Sequence, residues 1–441
     1  MSRRIIHGFL IAGIVVSFPI LFKHYLPTQT GPAVNEIVTP PPPSAPEVAP
    51  SPPPEAEPLV KTIENEPPRA PLPIKRYKEI PKKGRVAIAP RANLNIDTPG
   101  SFPPLEPVVP KGLENAVNFW TRIYAQYDKD QVVFHDQENL GIIYKVLDFS
   151  QISNDPNLSA IEKKSLRESH IKEELKQLEK TLDPEAADNL RTQTGQKDKF
   201  VAGVQASGLY LPEIENIFQG YGLPKDLTRL VFVESMFQVN AYSKVGAAGI
   251  WQFMASSARI FRLNVSPLVD ERYDPILSTH AAARHLIRNF QDLGTWPLAI
   301  NAYNTGSGRL QDAIQKLGTR EIATIIKRYR NPSYGFASRN FYPSFLAARH
   351  VFNNYKHYFG NLPIQPPFQY DLATFRRPMT LPELAQVLDI STERLRELNP
   401  ALSATLFSQN RYFPEGSTLR VPAGFGNRLA TLESPEAEQV P

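Results

Sequence analysis

Hydrophobic and polar positions divide this chain into four stretches. Residues 5–22 form an apolar run broken only by His7, Ser17 and small residues. Residues 27–110 show no helical or strand period. From Gly112 the pattern turns helical. Between 113 and 127 the apolar residues sit at 113, 116, 117, 119, 120, 123, 124 and 127, close to the 3.6-residue period of a helix face. A short strand at 131–134 follows, then a Lys/Glu-rich segment at 159–182 that predicts a solvent-facing helix. Five helices come next: 224–237, 249–262, one opening on Asp274-Pro275 and closing before Gly294, 297–303, and 343–358. No sustained alternation appears between 159 and 360, so the main domain reads as mainly α. The fourth stretch, 370–422, reads as strand, two short helices, strand, a small α/β unit.

Composition sharpens these boundaries. Of the 43 prolines, 23 fall between Pro27 and Pro110. Proline fixes φ and removes a backbone donor, so that stretch builds no helical or sheet core. Its proline runs at 40–43 and 52–54 favour an extended, left-handed conformation. The expected organisation is a signal anchor or signal peptide at 1–26 and a Pro-rich disordered linker at 27–110. A helical domain with an N-terminal extension follows at 111–365, then the small module at 368–424 and a disordered tail at 425–441.

Arg3 and Arg4 ahead of the apolar run orient it with the N-terminus inside and the remainder outside the cytoplasmic membrane. At 18 residues the run is just long enough to cross a bilayer, and no A-x-A-like cleavage site follows. An anchor through residues 5–22 is therefore favoured over a removable signal, and the chain is expected in the periplasm or cell envelope. The net charge of +5 suits an anionic polymer. With no block of five basic residues, nucleic acid is not an expected partner. Cysteine is absent, which excludes disulfides, thiolate catalysis and a lipidated cysteine. His280 and His285 lie five apart on a helix without metal-ligand spacing, so neither metal nor cofactor is expected. The pair His135-Asp136 reads as structural. The oligomeric state is left open.

One residue breaks the apolar pattern in a way that carries chemistry. The face through Leu223, Leu227, Leu230 and Val231 continues to Glu234. A carboxyl there is costly unless it is protonated, paired or at a cleft edge. An apolar setting raises its pKa, as a general acid near neutral pH needs. The bland alternative is a pair with an arginine such as Arg229. Gly246-Ala-Ala-Gly249-Ile-Trp-Gln252 follows within twenty residues. Its glycines allow close backbone approach, Trp251 offers an aromatic face or packing, and Gln252 an amide. Then comes Ala302-Tyr303-Asn304, whose own alternative is an ordinary helix C-terminus.

In this order, Glu234-Ser235, Gly249-Ile250-Trp251-Gln252-Phe253-Met254 and Ala302-Tyr303-Asn304 resemble the three motifs of the soluble lytic transglycosylases of glycoside hydrolase family 23. Val239 to Gly246, Tyr273-Asp274-Pro275 and Trp296 to Ile300 agree with them. The segments at 132–136 and 142–144 resemble the lead-in of the membrane-bound D group. Residues 370–422 are similar to a LysM module, although the usual Gly-Asp before its first helix is replaced by Arg376-Arg377-Pro378-Met379.

The resemblance implies a lysozyme-like α fold and peptidoglycan glycan strands as partner. It implies Glu234 as the single catalytic acid and base, oriented by Ser235 and Tyr303, with Gln252 and Asn304 holding the sugar. Related enzymes carry Glu-Thr and then a tyrosine before the last catalytic-domain helix. Here the chain reads Ala337 to Tyr342, so Phe341 or Tyr342 is the expected cleft aromatic.

Overall fold

In a computed structural model of the chain, residues 101–408 and 411–426 are described. The expectations for 1–26, for most of the linker and for most of the tail lie outside them. Among the described residues no helix is long and apolar enough to cross a membrane. The architecture is mostly helical, as the periodicity requires.

Helix α1 (Glu114–Ala125) buries Val117, Phe119, Trp120, Ile123 and Tyr124, the positions its period selects. Beside it stands a three-stranded antiparallel sheet. Its central strand β1 (Gln131–Asp136) is flanked by β2 (Ile143–Asp148) and β3 (Leu190–Thr194). Alternation splits β1 between two cores. Val133 faces the main core, while Val132 and Phe134 pack with Phe149 against Ile171, Leu175 and Leu178 of α2 (Ala160–Thr181). A Ser159–Glu162 capping box starts α2, and none of its residues is fully buried, which fits its charged sequence.

Helices α3 (Lys197–Ser207) and α4 (Leu211–Gly220) lead into the segment that carries Glu234. The expected helix at 224–237 is shorter and mixed: a 3₁₀ turn, Lys225–Arg229, runs into α5 (Leu230–Glu234). Glu234 is its last helical residue, because Met236 and Phe237 take left-handed φ of 52° and 59°. The expected helix at 249–262 shrinks to Ala255–Ile260 for the same kind of reason. Gly249 and Gln252 have φ of 75° and 49°, incompatible with a right-handed helix.

Helix α6 (Pro275–Leu293) begins on its Asp274 cap and ends at Gly294, which has φ of 79°. Helix α7 is Trp296–Thr305. The last long helix, α8 (Phe336–Asn353), begins seven residues before the expected start at 343 and contains Pro343. Against it lies the buried side of α1.

The domain also begins before residue 111. Phe102 packs edge-on to Phe290 at 5.5 Å and Trp296 Nε1 donates to the Pro103 carbonyl at 2.7 Å. Phe102, Leu105 and Val109 thus pack against the helical core from the end of the proline-rich stretch.

The C-terminal unit pairs β4 (Tyr370–Thr374) antiparallel with β5 (Thr418–Pro422), with α9 (Leu381–Leu388) and α10 (Thr392–Leu398) packed on them. The two expected strands and two expected helices are present, and a third short helix, Ala404–Ser408, stands before β5 where none was expected. Its core, built on Phe375, Leu384, Leu395, Phe413 and Val421, also takes in Val269 from the helical domain.

Gly249 is where two loops touch: a Cβ there would lie 1.7 Å from the Arg272 carbonyl oxygen. Gly249→Ala should therefore destabilise the protein by about 2 kcal/mol or more, since left-handed strain adds to the clash. Denaturant melts of the two proteins check this.

Candidate active site

Glu234 is buried at 2% exposure, yet it stands in the wall of a cleft of about 770 Å³ including its open mouth. The lining comes from several elements. α1 gives Trp120 and Tyr124, the start of α3 gives Gln196 and Lys199, and α8 gives Ser344. The rest comes from the segment around Glu234 itself and from the loop after it, which contributes Gln238, Ala241 and Tyr242. Among these residues Glu234 is the only acid.

Among the described residues no ion pair compensates it. Arg229, the candidate partner in the sequence, instead pairs with Glu215 at 2.5 Å and lies over the Phe352 ring. One oxygen, Oε2, is buried with no hydrogen-bond partner. Burial in this apolar wall pushes the carboxyl up to about 8, which keeps it protonated at neutral pH.

The other site residues take different places from those expected. Ser235 lines the cleft, but its hydroxyl donates to the Ile250 carbonyl at 2.9 Å. The Tyr303 hydroxyl donates to the Trp251 carbonyl at 3.0 Å. Burial, and then Glu234, raise its pKa well above the usual value, so it lies within electrostatic reach of the carboxyl. Both hydroxyls therefore fix the Ile250–Trp251 backbone rather than bonding Glu234. Trp251 is fully buried, stacks on Phe218 and donates to Thr279, which makes it a packing residue. Gln252 Nε2 donates to the Gly249 carbonyl at 2.8 Å, while its Oε1 is buried without a partner. Asn304 is buried and lies 3.5 Å from the Ser338 hydroxyl. Gln252, Tyr303 and Asn304 are not among the lining residues.

Phe341 and Tyr342 are a correction. They are 0% and 3% exposed in the core, outside the cleft lining, because the longer α8 turns them inward. The aromatics that do line the cleft are Trp120, Tyr124 and Tyr242. Tyr124 is buried and its pKa is raised, first by burial and in part by Glu234. Tyr242 is 64% exposed at the cleft. A polar-tipped aromatic on an otherwise apolar α1 face was the available signal for Tyr124; nothing in the sequence singled out Tyr242 or Lys199.

His285 stacks on Phe261 at 4.6 Å and lies tilted against Tyr303 at the same distance, and burial followed by Arg288 drives its pKa to about 3. It is neutral and no proton donor at working pH. Among the described residues no group of three or more His, Asp or Glu side chains could hold a metal ion.

Residues 214–326 match the family described as the transglycosylase SLT domain, the span that contains Glu234, the Gly249–Phe253 loop and Tyr303. Particular relatives follow from it. The chain is 30% identical over 185 residues to membrane-bound lytic murein transglycosylase D of Escherichia coli, covering 42% of this chain and 40% of that protein. It is 37% identical over 121 residues to a putative tributyltin chloride resistance protein of Alteromonas, covering 27% and 58%. The chain thus spans about two fifths of the first relative's length. Among solved structures, the 70 kDa soluble lytic transglycosylase of Escherichia coli overlaps 35% of this chain and 25% of its own, at 21% identity and a TM-score of 0.28.

The protonated state has a thermodynamic signature. The fold keeps the Glu234 proton up to about pH 8, whereas the unfolded chain releases it near 4.5. Between those values the unfolded state binds fewer protons, so this group's contribution falls as pH rises, by at most ~1.4 kcal/mol per unit. Glu234→Gln removes that slope. Its stability relative to wild type should rise steadily from pH 4.5 to 8 and then level off, as read from melts at a series of pH values.

Proposed function

We propose that this chain is a lytic transglycosylase that cleaves the glycan strand of peptidoglycan with Glu234 as its single acid and base. What supports this most is a solitary neutral carboxyl in a cleft whose lining holds no second acid. Glycosidases that deliver water to the anomeric carbon ordinarily need two carboxylates. One suffices when the attacking hydroxyl is already on the substrate.

In this reading Glu234 gives its proton to the glycosidic oxygen as the bond from muramic C1 to O4 breaks. The N-acetyl carbonyl of the same sugar stabilises the developing positive charge. The Glu234 carboxylate then takes the proton of the muramic O6 hydroxyl as O6 bonds to C1. The product is a 1,6-anhydromuramic end; no water is consumed, and Glu234 is reprotonated. Intramolecular attack supplies the proximity advantage. Ser235 and Tyr303 hold the backbone behind the acid, and Tyr242 offers an exposed ring for a sugar face. Residues 368–424 are read as a LysM-like wall-binding unit. The run at 5–22 is read as the membrane tether that keeps the catalytic domain on the outer side.

Mass spectrometry of fragments from purified wall tests the reaction. Anhydro ends, lighter by one water than reducing ends, are expected. Reducing ends would make the protein a lysozyme-type hydrolase, and no fragments a wall-binding protein. Glu234→Gln should lower the rate by at least ~10²–10⁴, the usual worth of a general acid. Retention of more than a few per cent would move the proton to another residue. Tyr242→Ala should raise KM for glycan strands roughly three- to tenfold with little change in kcat, the loss of one face contact. An unchanged KM removes Tyr242 from substrate binding.

A further inference from the structure

The C-terminal unit is locked to the loops that frame Glu234. Arg420 on β5 reaches across to Asp274, with Nη1 2.5 Å from Oδ2 and Nη2 2.9 Å from Oδ1; both side chains are almost fully buried. Asp274 Oδ1 also accepts from the Ile276 and Leu277 amides, so one carboxylate caps α6 and receives the arginine fork. Beside it the backbones join. Asp270 N donates to the Ala401 carbonyl at 2.8 Å, and Ser403 N to the Leu268 carbonyl at 3.0 Å.

From that anchored segment Arg272 reaches the loop that continues from the cleft wall. Asp270 fixes its guanidinium, and Nη1 donates to the carbonyls of Gly246 at 2.7 Å and Phe253 at 3.1 Å. The Arg272 carbonyl packs directly on Gly249. Between those residues lie the carbonyls of Ile250 and Trp251, which receive the Ser235 and Tyr303 hydroxyls. From Arg420 the path to the residue after Glu234 runs through Asp274, the short backbone stretch to Arg272, and then these contacts.

We infer that Arg420 is a positioning residue for the reaction, and that the C-terminal unit, besides its wall-binding role, is a buttress of the loop at 246–253. The arginine fork holds Asp274 and the start of α6. Asp274 in turn fixes the height of Arg272 against Gly246, Gly249 and Phe253. With the fork gone, the loop at 246–253 loosens and Glu234 loses its fixed approach to the glycosidic oxygen. A purely wall-binding role would affect capture of insoluble substrate alone.

The inference rests on the reaction proposed above, and its test separates the two. Full-length Arg420→Ala and Arg420→Lys are compared with wild type on short soluble glycan strands, alongside amide hydrogen exchange. Arg420→Ala should lower kcat tenfold or more with KM within about twofold, and Arg420→Lys should restore part of the loss. Exchange at 246–253 should speed up while that in the middle of α8 stays unchanged. Should Arg420→Ala not fold, Asp274→Asn is read the same way, since it keeps the oxygen that caps α6. The double variant should be no slower than the worse single one. Unchanged kcat together with unchanged exchange at 246–253 in a folded variant overturns the buttress. A wild-type protein that releases no anhydro ends overturns the reaction, and the exchange result stands by itself.

Discussion

Two buried acids within forty residues of one another receive opposite treatment, and the site depends on the difference. Asp274 is met by two backbone amides and a bidentate guanidinium. Glu234 has an oxygen with no partner at all, and the arginine five residues before it is turned away to Glu215. A buried carboxylate without compensation is far costlier than a buried carboxylic acid, so Glu234 keeps its proton. Its acidity is thus set by what the fold withholds from it. Arg229, the cation nearest to it in sequence, is engaged elsewhere, by Glu215.

Holding an unpaired acid also requires a rigid wall, since a loose one would admit water and compensation. Ser235 and Tyr303 supply rigidity by donating to consecutive carbonyls, Ile250 and Trp251. Three non-glycine residues with left-handed φ, Met236, Phe237 and Gln252, sit on either side of this junction. Such conformations persist only where surroundings over-determine them, and here a packed tryptophan and two hydroxyls do so.

Much of this was legible in the chain. Glu234 could be found because it interrupts an apolar face, and α6 because Asp274, Pro275 and Gly294 punctuate it at both ends. The ends of α5 and of the 255–260 helix could not be read. Propensity there favours continuing helix, and the left-handed turns follow from contacts with segments distant in sequence. The same limit applies to site residues. For Ser235, Gln252 and Tyr303, what each side chain bonds depends on which carbonyls the fold leaves within reach. Phe341 and Tyr342 failed for a simpler reason. The aromatic positions before Pro343 were assumed to lie outside the helix, whereas Pro343 sits inside α8 and its neighbours face the core.

The C-terminal unit illustrates the remaining gap. Its own period and caps predict a self-contained fold, and the two strands and the two capped helices are where those signals put them, with the helix Ala404–Ser408 added. No local signal shows that its core is completed by Val269, a residue a hundred positions earlier, or that Arg420 ends beside a helix cap of another domain. An isolated β5 would expose that arginine at no cost, so a charged residue there reads as ordinary surface. In the assembled protein it is buried against Asp274. Burial makes the pair costly to break from either side, because the remaining partner would be left charged in a dry place. A junction of that kind fixes the two units in one register, which a flexible tether between a wall-binding unit and an enzyme would not do.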